Sequence, residues 1–158
     1  LFAPTMNKEA ALIAKQARDL GITATLMGGD GWASPDVFDL SGGAINGGYL
    51  VNLADMSDPL IQDFLTAYRA KYNSDPVMPN PVMGYDAVLW LADALKRSGG
   101  EGGEALKAAM EATKDLQVLT GLLTLDPTNH NPLNKPAVIQ QAMDGQFIYV
   151  KTFVTTGD

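Results

Sequence analysis

Apolar residues recur at helical spacing from Asn7 to Leu20. Ala10, Ala11, Ile13, Ala14, Ala17 and Leu20 share one face, and Lys8, Lys15, Arg18 and Asp19 are left for water. Gly21 follows as a C-terminal stop, where a left-handed backbone is commonly needed. Ile22 to Met27 is short and β-prone and predicts a buried strand, ended by the glycine loop Gly28-Gly29-Asp30-Gly31. Ser34-Pro35-Asp36 combines a capping Ser with a first-turn Pro, predicting a short helix to about Leu40 that stops at Gly42-Gly43. Gly48 to Leu53 predicts a second strand.

From Asp58 the period becomes helical again. Ile61, Phe64, Leu65, Tyr68 and Tyr72 form one face of a helix ending near Asn73. Pro76, Pro79 and Pro81 interrupt regular structure before a long helix from Gly84 to Ser98. Gly99-Gly100 and Gly102-Gly103 separate it from another helix, Glu104 to Lys114. Strands follow at Leu122 to Leu125 and Pro136 to Ala142. The turn Asp144-Gly145 then feeds Phe147 to Phe153, so the last two strands make a hairpin. The order α-β-α-β begins as half of a parallel, doubly wound α/β sheet with helices on both faces. A late return to strands predicts a chain that leaves one sheet, builds helices elsewhere and comes back.

Composition narrows the function classes. The chain has 158 residues, 18 Asp+Glu against 11 Lys+Arg, a formal net charge of -7, one His and no Cys. Its length by itself favours one domain, able to bury roughly 70% of its unfolded surface. With 46% apolar and 18% charged residues it is globular. The lack of Cys excludes disulfides, thiolate metal sites and thiol catalysis. The acidic balance argues against nucleic acid and anionic membranes, which need a Lys/Arg footprint. Apolar runs such as Ala87 to Ala92 fall short of the ~18 residues that span a bilayer. The start Leu1-Phe2-Ala3-Pro4, without initiator Met or signal peptide, is read as a processed chain or a piece of something larger.

Candidate chemistry centres on Gly28 to Trp32, because ligands of open α/β sheets bind outside the carboxyl ends of strands. Asp30 offers a negative charge suited to an ammonium group, and Trp32 a flat apolar wall. The competing reading is that Asp30 caps a turn or helix and Trp32 fills a gap. No phosphate-binding glycine pattern is present, and Asp30 would repel phosphate. His130, the only His, lies in a Pro/Asn-rich loop with no nucleophile motif nearby. Asp126 and Asp144 lack EF-hand spacing and read as turn residues. Phe64, Tyr68 and Tyr72 read as a core stripe. Tyr85 either caps a helix or faces a cleft, and Met6 follows the first strand remnant, where a side chain can project toward a ligand. No catalytic residue, metal ligand or cofactor is expected.

Phe2-Ala3-Pro4 with Ala10 to Ile22, followed by Leu26-Met27-Gly28-Gly29-Asp30-Gly31-Trp32, resembles the type I periplasmic binding proteins. The nearest group is the branched-chain amino acid (Leu/Ile/Val) substrate-binding proteins of ABC transporters. Phe64 to Tyr72, Gly84-Tyr85-Asp86-Ala87-Val88, Leu91 to Ala94, Ala112-Thr113-Lys114, Thr120-Gly121 and the Asp144-Gly145 hairpin continue the resemblance in order along essentially the whole chain.

The resemblance implies the C-terminal half of a two-lobed α/β fold that closes on its ligand like a hinged trap. It implies that residues 1–54 and 120–158 belong to the second lobe and residues 55–119 are helices of the first. Function is then capture of an amino acid in an interlobe cleft, without catalysis, at the periplasmic or extracellular face of the membrane, for presentation to a permease. Lipid anchoring of the full-length protein belongs to the same expectation. Asp30 matches the family acid that pairs with the ligand ammonium. Met6 stands where relatives often carry an aromatic wall, and Trp32 and Asn80 lie beside matching cleft positions. A ligand-sensing domain of a receptor or regulator is the alternative on the same fold; an enzyme would need a nucleophile, base and oxyanion donors that no motif supplies. Half a fold also leaves apolar surface to be covered by another chain, by dimerisation or by strand exchange.

Overall fold

The computed structural model describes residues 1–154. Helices are α1 (Asn7–Asp19), α2 (Asp36–Ser41), α3 (Gln62–Tyr72), α4 (Asn80–Arg97) and α5 (Gly103–Glu111). Strands are β1 (Met27–Gly28), β2 (Tyr49–Asn52), β3 (Leu116–Val118), β4 (Gly121–Leu125), β5 (Pro132–Leu133), β6 (Pro136–Met143) and β7 (Gln146–Val154). The chain divides into two compact units. The first comprises Leu1–Asp55, Val77–Pro79 and Ala137–Phe153; the second contains Met56–Pro76 and Asn80–Pro136.

In the first unit a four-stranded sheet runs β1-β2-β6-β7. Phe2 adds a parallel bridge to Met27, and β1 and β2 are parallel. The sheet is mixed rather than wholly parallel, since β6 joins β2 antiparallel, with Leu50 opposite Gln140 and Asn52 opposite Val138. Asp144 and Gly145 both take positive φ, 48° and 82°, which a two-residue hairpin turn requires for its twist to match the strands. Helix α1 presents Ala10, Ala11, Ala14 and Ala17 to the core, and these small side chains let it approach closely. Leu26, Val37, Ile45 and Leu50 pack there with Trp32 and Phe38. Each such aliphatic side chain contributes about 1.5–3 kcal/mol on burial. The expected strand from Ile22 is confined to Met27–Gly28. The Arg18 guanidinium instead donates to the carbonyls of Ile22 (2.6 Å) and Ala24 (3.1 Å), holding that stretch as an exposed turn.

The second unit packs α3 and α4 around Ile61, Leu65 and Val82. Helix α4 begins at Asn80, before the expected Gly84, because Pro81 falls in the first turn, where a helix has no use for its N–H. Trp90 and Arg97 on α4 both donate to the Thr113 hydroxyl, tying α4 to the segment after α5. Strands β3, β4 and β5 form a separate antiparallel sheet. They stay with the helices: Leu125 N–H bonds the Thr113 carbonyl, and Asp86 of α4 accepts the N–H groups of Leu119 and Thr120. The compact units therefore divide at 136/137, beyond the 119/120 boundary expected from sequence.

Among the described residues no helix is long and apolar enough to cross a membrane. Many large apolar side chains are exposed, including Phe2 (67%), Leu20 (78%) and Val88 (63%).

Candidate functional site

The glycine loop is shaped by contacts inside the first unit. Gly29 is extended, and Asp30–Trp32 then form one 3-10 turn, in which Trp32 N–H bonds the Gly29 carbonyl. Trp32 swings under the loop, where its indole N–H donates to the Ala3 carbonyl at 3.0 Å. A Cβ at Gly28 would sit 2.1 Å from the Trp32 ring, and one at Gly31 would sit 2.6 Å from the Thr5 carbonyl oxygen. Gly28 and Gly31 are thus required by the protein's own packing. Only Gly29 of the three has open space around it.

Across the loop, Pro4, Thr5 and Met6 lead into α1. With Gly29, Asp30 and Gly31 they line a depression of about 190 Å³. Asp30 is exposed at its edge. Its carboxylate caps no helix and engages no hydrogen bond or ion pair among the described residues. The capping reading of Asp30 therefore does not hold. Met6, 61% exposed, supplies a thioether wall to the same depression. Thr5, which the sequence did not single out, immediately precedes Met6 and lines the same depression. Its Oγ1 is buried without a hydrogen-bond partner, alone in this among the described side chains. A Thr before a helix carries no sequence signal of this kind.

Trp32 is 1% exposed, so it offers no open wall to a ligand in this structure and serves as the floor that fixes the loop. Here its gap-filling reading describes the geometry. Asn80 is exposed at the first position of α4, in the second unit, and does not line the depression.

Several other titratable groups are engaged structurally. His130 Nε2 lies 2.9 Å from the Glu111 carboxylate on an exposed turn. Asp126 accepts from the Thr128 N–H and hydroxyl and from the Asn129 side chain, and these bonds, the Thr128 hydroxyl first, hold its carboxyl below the usual range. Buried Asp86 accepts from Leu119, from Thr120 N–H and from the Thr120 hydroxyl. Lys135 bonds the same hydroxyl and stands 4.0 Å from Asp86. Burial lowers the Lys135 pKa, and the Asp86 charge only partly offsets this.

The chemistry available in the depression is recognition. An unpaired carboxylate can hold an ammonium through charge-assisted hydrogen bonds, and the adjacent thioether can pack an aliphatic chain. The sequence pattern of the periplasmic binding proteins matches residues 3–146. The chain belongs to that family. It is 25% identical over 124 residues to Leu/Ile/Val-binding protein homolog 3 of Brucella melitensis, an alignment covering 77% of this chain and 33% of the relative. Over the same shares it is 28% identical to a Leu/Ile/Val-binding protein of Rhizobium johnstonii. Among solved structures it is similar to the leucine binding protein of Thermotoga maritima, with a TM-score of 0.83 and 26% identity over 96% of this chain and 43% of that one. It is also similar to the branched-chain amino acid transporter substrate binding protein of Streptococcus pneumoniae, in complex with isoleucine (TM-score 0.79, 27% identity, 99% and 44% covered). The mixed α/β fold is that of type I periplasmic binding proteins, of which this chain spans a fragment: about a third of the curated relatives' length and less than half of the solved ones.

Proposed function

We propose that the chain is part of an extracytoplasmic solute-capture protein serving an ABC importer, and that it binds an amino acid of branched-chain or related type. Asp30 is the anchor for the ligand ammonium, and Met6 packs against its aliphatic part. The observation that carries this reading is the Asp30 carboxylate, exposed and without a partner among the described residues, beside an apolar wall on a loop whose shape is fixed from beneath by Trp32. The relatives' names supply the ligand class: Leu/Ile/Val, leucine and isoleucine. Binding, without a chemical step, is the activity assigned. The permease is the membrane partner. Covering of exposed apolar side chains such as Phe2 and Leu20, by dimerisation or by strand exchange with another chain, belongs to the same proposal.

NMR titration of the chain with an amino-acid panel tests the reading. Leucine, isoleucine and valine should shift resonances of Met6 and Gly29 to Gly31 saturably. 4-Methylpentanoate, which is leucine without its amino group, should not. No saturable shift with any amino acid, or equal binding of leucine and 4-methylpentanoate, would overturn it.

A further inference from the structure

We infer that β7 pairs antiparallel with β7 of a second copy of this chain, about a two-fold axis at Val150, joining two four-stranded sheets into one. This pairing is one form of the dimerisation proposed above and rests on that reading; amino-acid binding plays no part in it.

Among the described residues the sheet order ends at β7, and no strand lies on its outer side. After the two-residue turn at Asp144-Gly145, Met143 and Gln146 form the closing pair of the hairpin. The alternation of an antiparallel ladder then turns the N–H and C=O groups of Phe147, Tyr149, Lys151 and Phe153 outward. Such a row of unpaired groups is a template for another strand, and edges that avoid pairing are short, bulged, charged or interrupted by Pro. β7 instead runs nine residues without Pro and with one charge, Lys151. Ile148, Tyr149, Val150 and Phe153 are 44–52% exposed along it.

The strand fits itself. Val150 is its midpoint, so antiparallel pairing about that residue overlaps β7 over its full length. Phe147 then falls opposite Phe153, Ile148 opposite Thr152 and Tyr149 opposite Lys151. The first is an aromatic pair that continues the contact of Phe147 with Phe38, whose ring centroids are 4.9 Å apart. The last sets an ammonium beside a ring rather than against a like charge. The four residues with outward backbone groups are also those that this register places in hydrogen-bonded pairs. Val150 meets its own copy in the closer, non-hydrogen-bonded pair between them.

Sedimentation velocity of wild type, Val150→Lys, Val150→Glu and an equimolar mixture of the two variants tests the pairing. Wild type should approach twice the 16.8 kDa mass of one chain as concentration rises. Each variant alone brings like charges together at the axis and should dimerise at least about tenfold more weakly, whereas the mixture should dimerise again. Val150 is exposed, so both variants should fold. Lys151→Pro is a second check: it removes an outward N–H, spares the ladder to β6 and should be monomeric although it sheds a charge. A wild-type monomer at every concentration would overturn the pairing. So would dimers that persist in Val150→Lys and Val150→Glu alone, the result expected from exchange of the β6–β7 hairpin or from another apolar surface. Leucine titration is read separately, and its failure bears on the ligand reading alone.

Discussion

Trp32 reaches back from the glycine turn to donate its indole N–H to the carbonyl of Ala3, 3.0 Å away in the core of the first unit. That bond joins the loop carrying Asp30 to the segment carrying Thr5 and Met6, so both sides of the depression share one internal support. Trp32→Phe keeps much of the apolar area but leaves a buried carbonyl unpaired and a gap beside it. Unfolding in urea should show a loss of about 2–4 kcal/mol, from the orphaned acceptor together with the smaller ring. An unchanged unfolding midpoint would mean that the bond carries no weight.

The three loop glycines should respond differently to alanine. At Gly28 the new methyl meets the Trp32 ring, and at Gly31 it meets the Thr5 carbonyl, a backbone atom that cannot rotate away. Each should cost about 1–3 kcal/mol by overpacking. Gly29→Ala meets nothing within 4 Å and serves as the control, expected within about 0.5 kcal/mol of wild type. Thermal melts of the three variants decide this, and equal losses at all three would contradict the packing argument.

Lys135 makes stability depend on alkaline pH. Burial lowers its pKa below 10.5 in the folded chain, so the unfolded chain binds this proton more tightly. The folded state is thus penalised while Lys135 is charged in both states, and stability rises as pH climbs from the folded pKa toward 10.5. Lys135→Met removes that contribution. The difference between wild-type and variant unfolding free energies, from urea melts between neutral pH and 10.5, should therefore grow in favour of wild type with rising pH. A flat difference would contradict it.

Much of this fold was legible locally, because α1 and α3 carry their apolar stripe within one segment and the Asp144-Gly145 turn marks the closing hairpin. What depends on distant partners was not. Ile22 to Thr25 reads as a strand by propensity, yet Arg18 claims two of its carbonyls and the sheet takes only Met27 and Gly28. Strands β3 and β5 are too short to leave a pattern, and Asp86 and Thr113 tie the β3–β4 turn and β4 to the helices, so the units divide at 136/137. At the site, Asp30 stood out because a charge in a glycine loop is conspicuous. Trp32 stood out as an aromatic ring in the same loop, but its indole found a carbonyl partner inside the core. Thr5 was invisible, since the burial of its hydroxyl follows from tertiary packing that its sequence neighbours do not signal.

The central claim is that the Asp30 carboxylate anchors a ligand ammonium, and NMR titration of leucine into wild type and Asp30→Asn tests it most directly. Asparagine keeps the shape and removes the charge, on an exposed side chain, so folding should be preserved. The account predicts a leucine affinity at least about tenfold weaker in Asp30→Asn, the scale of a charge-assisted hydrogen bond replaced by a neutral one. Equal leucine affinity in the two proteins would contradict it.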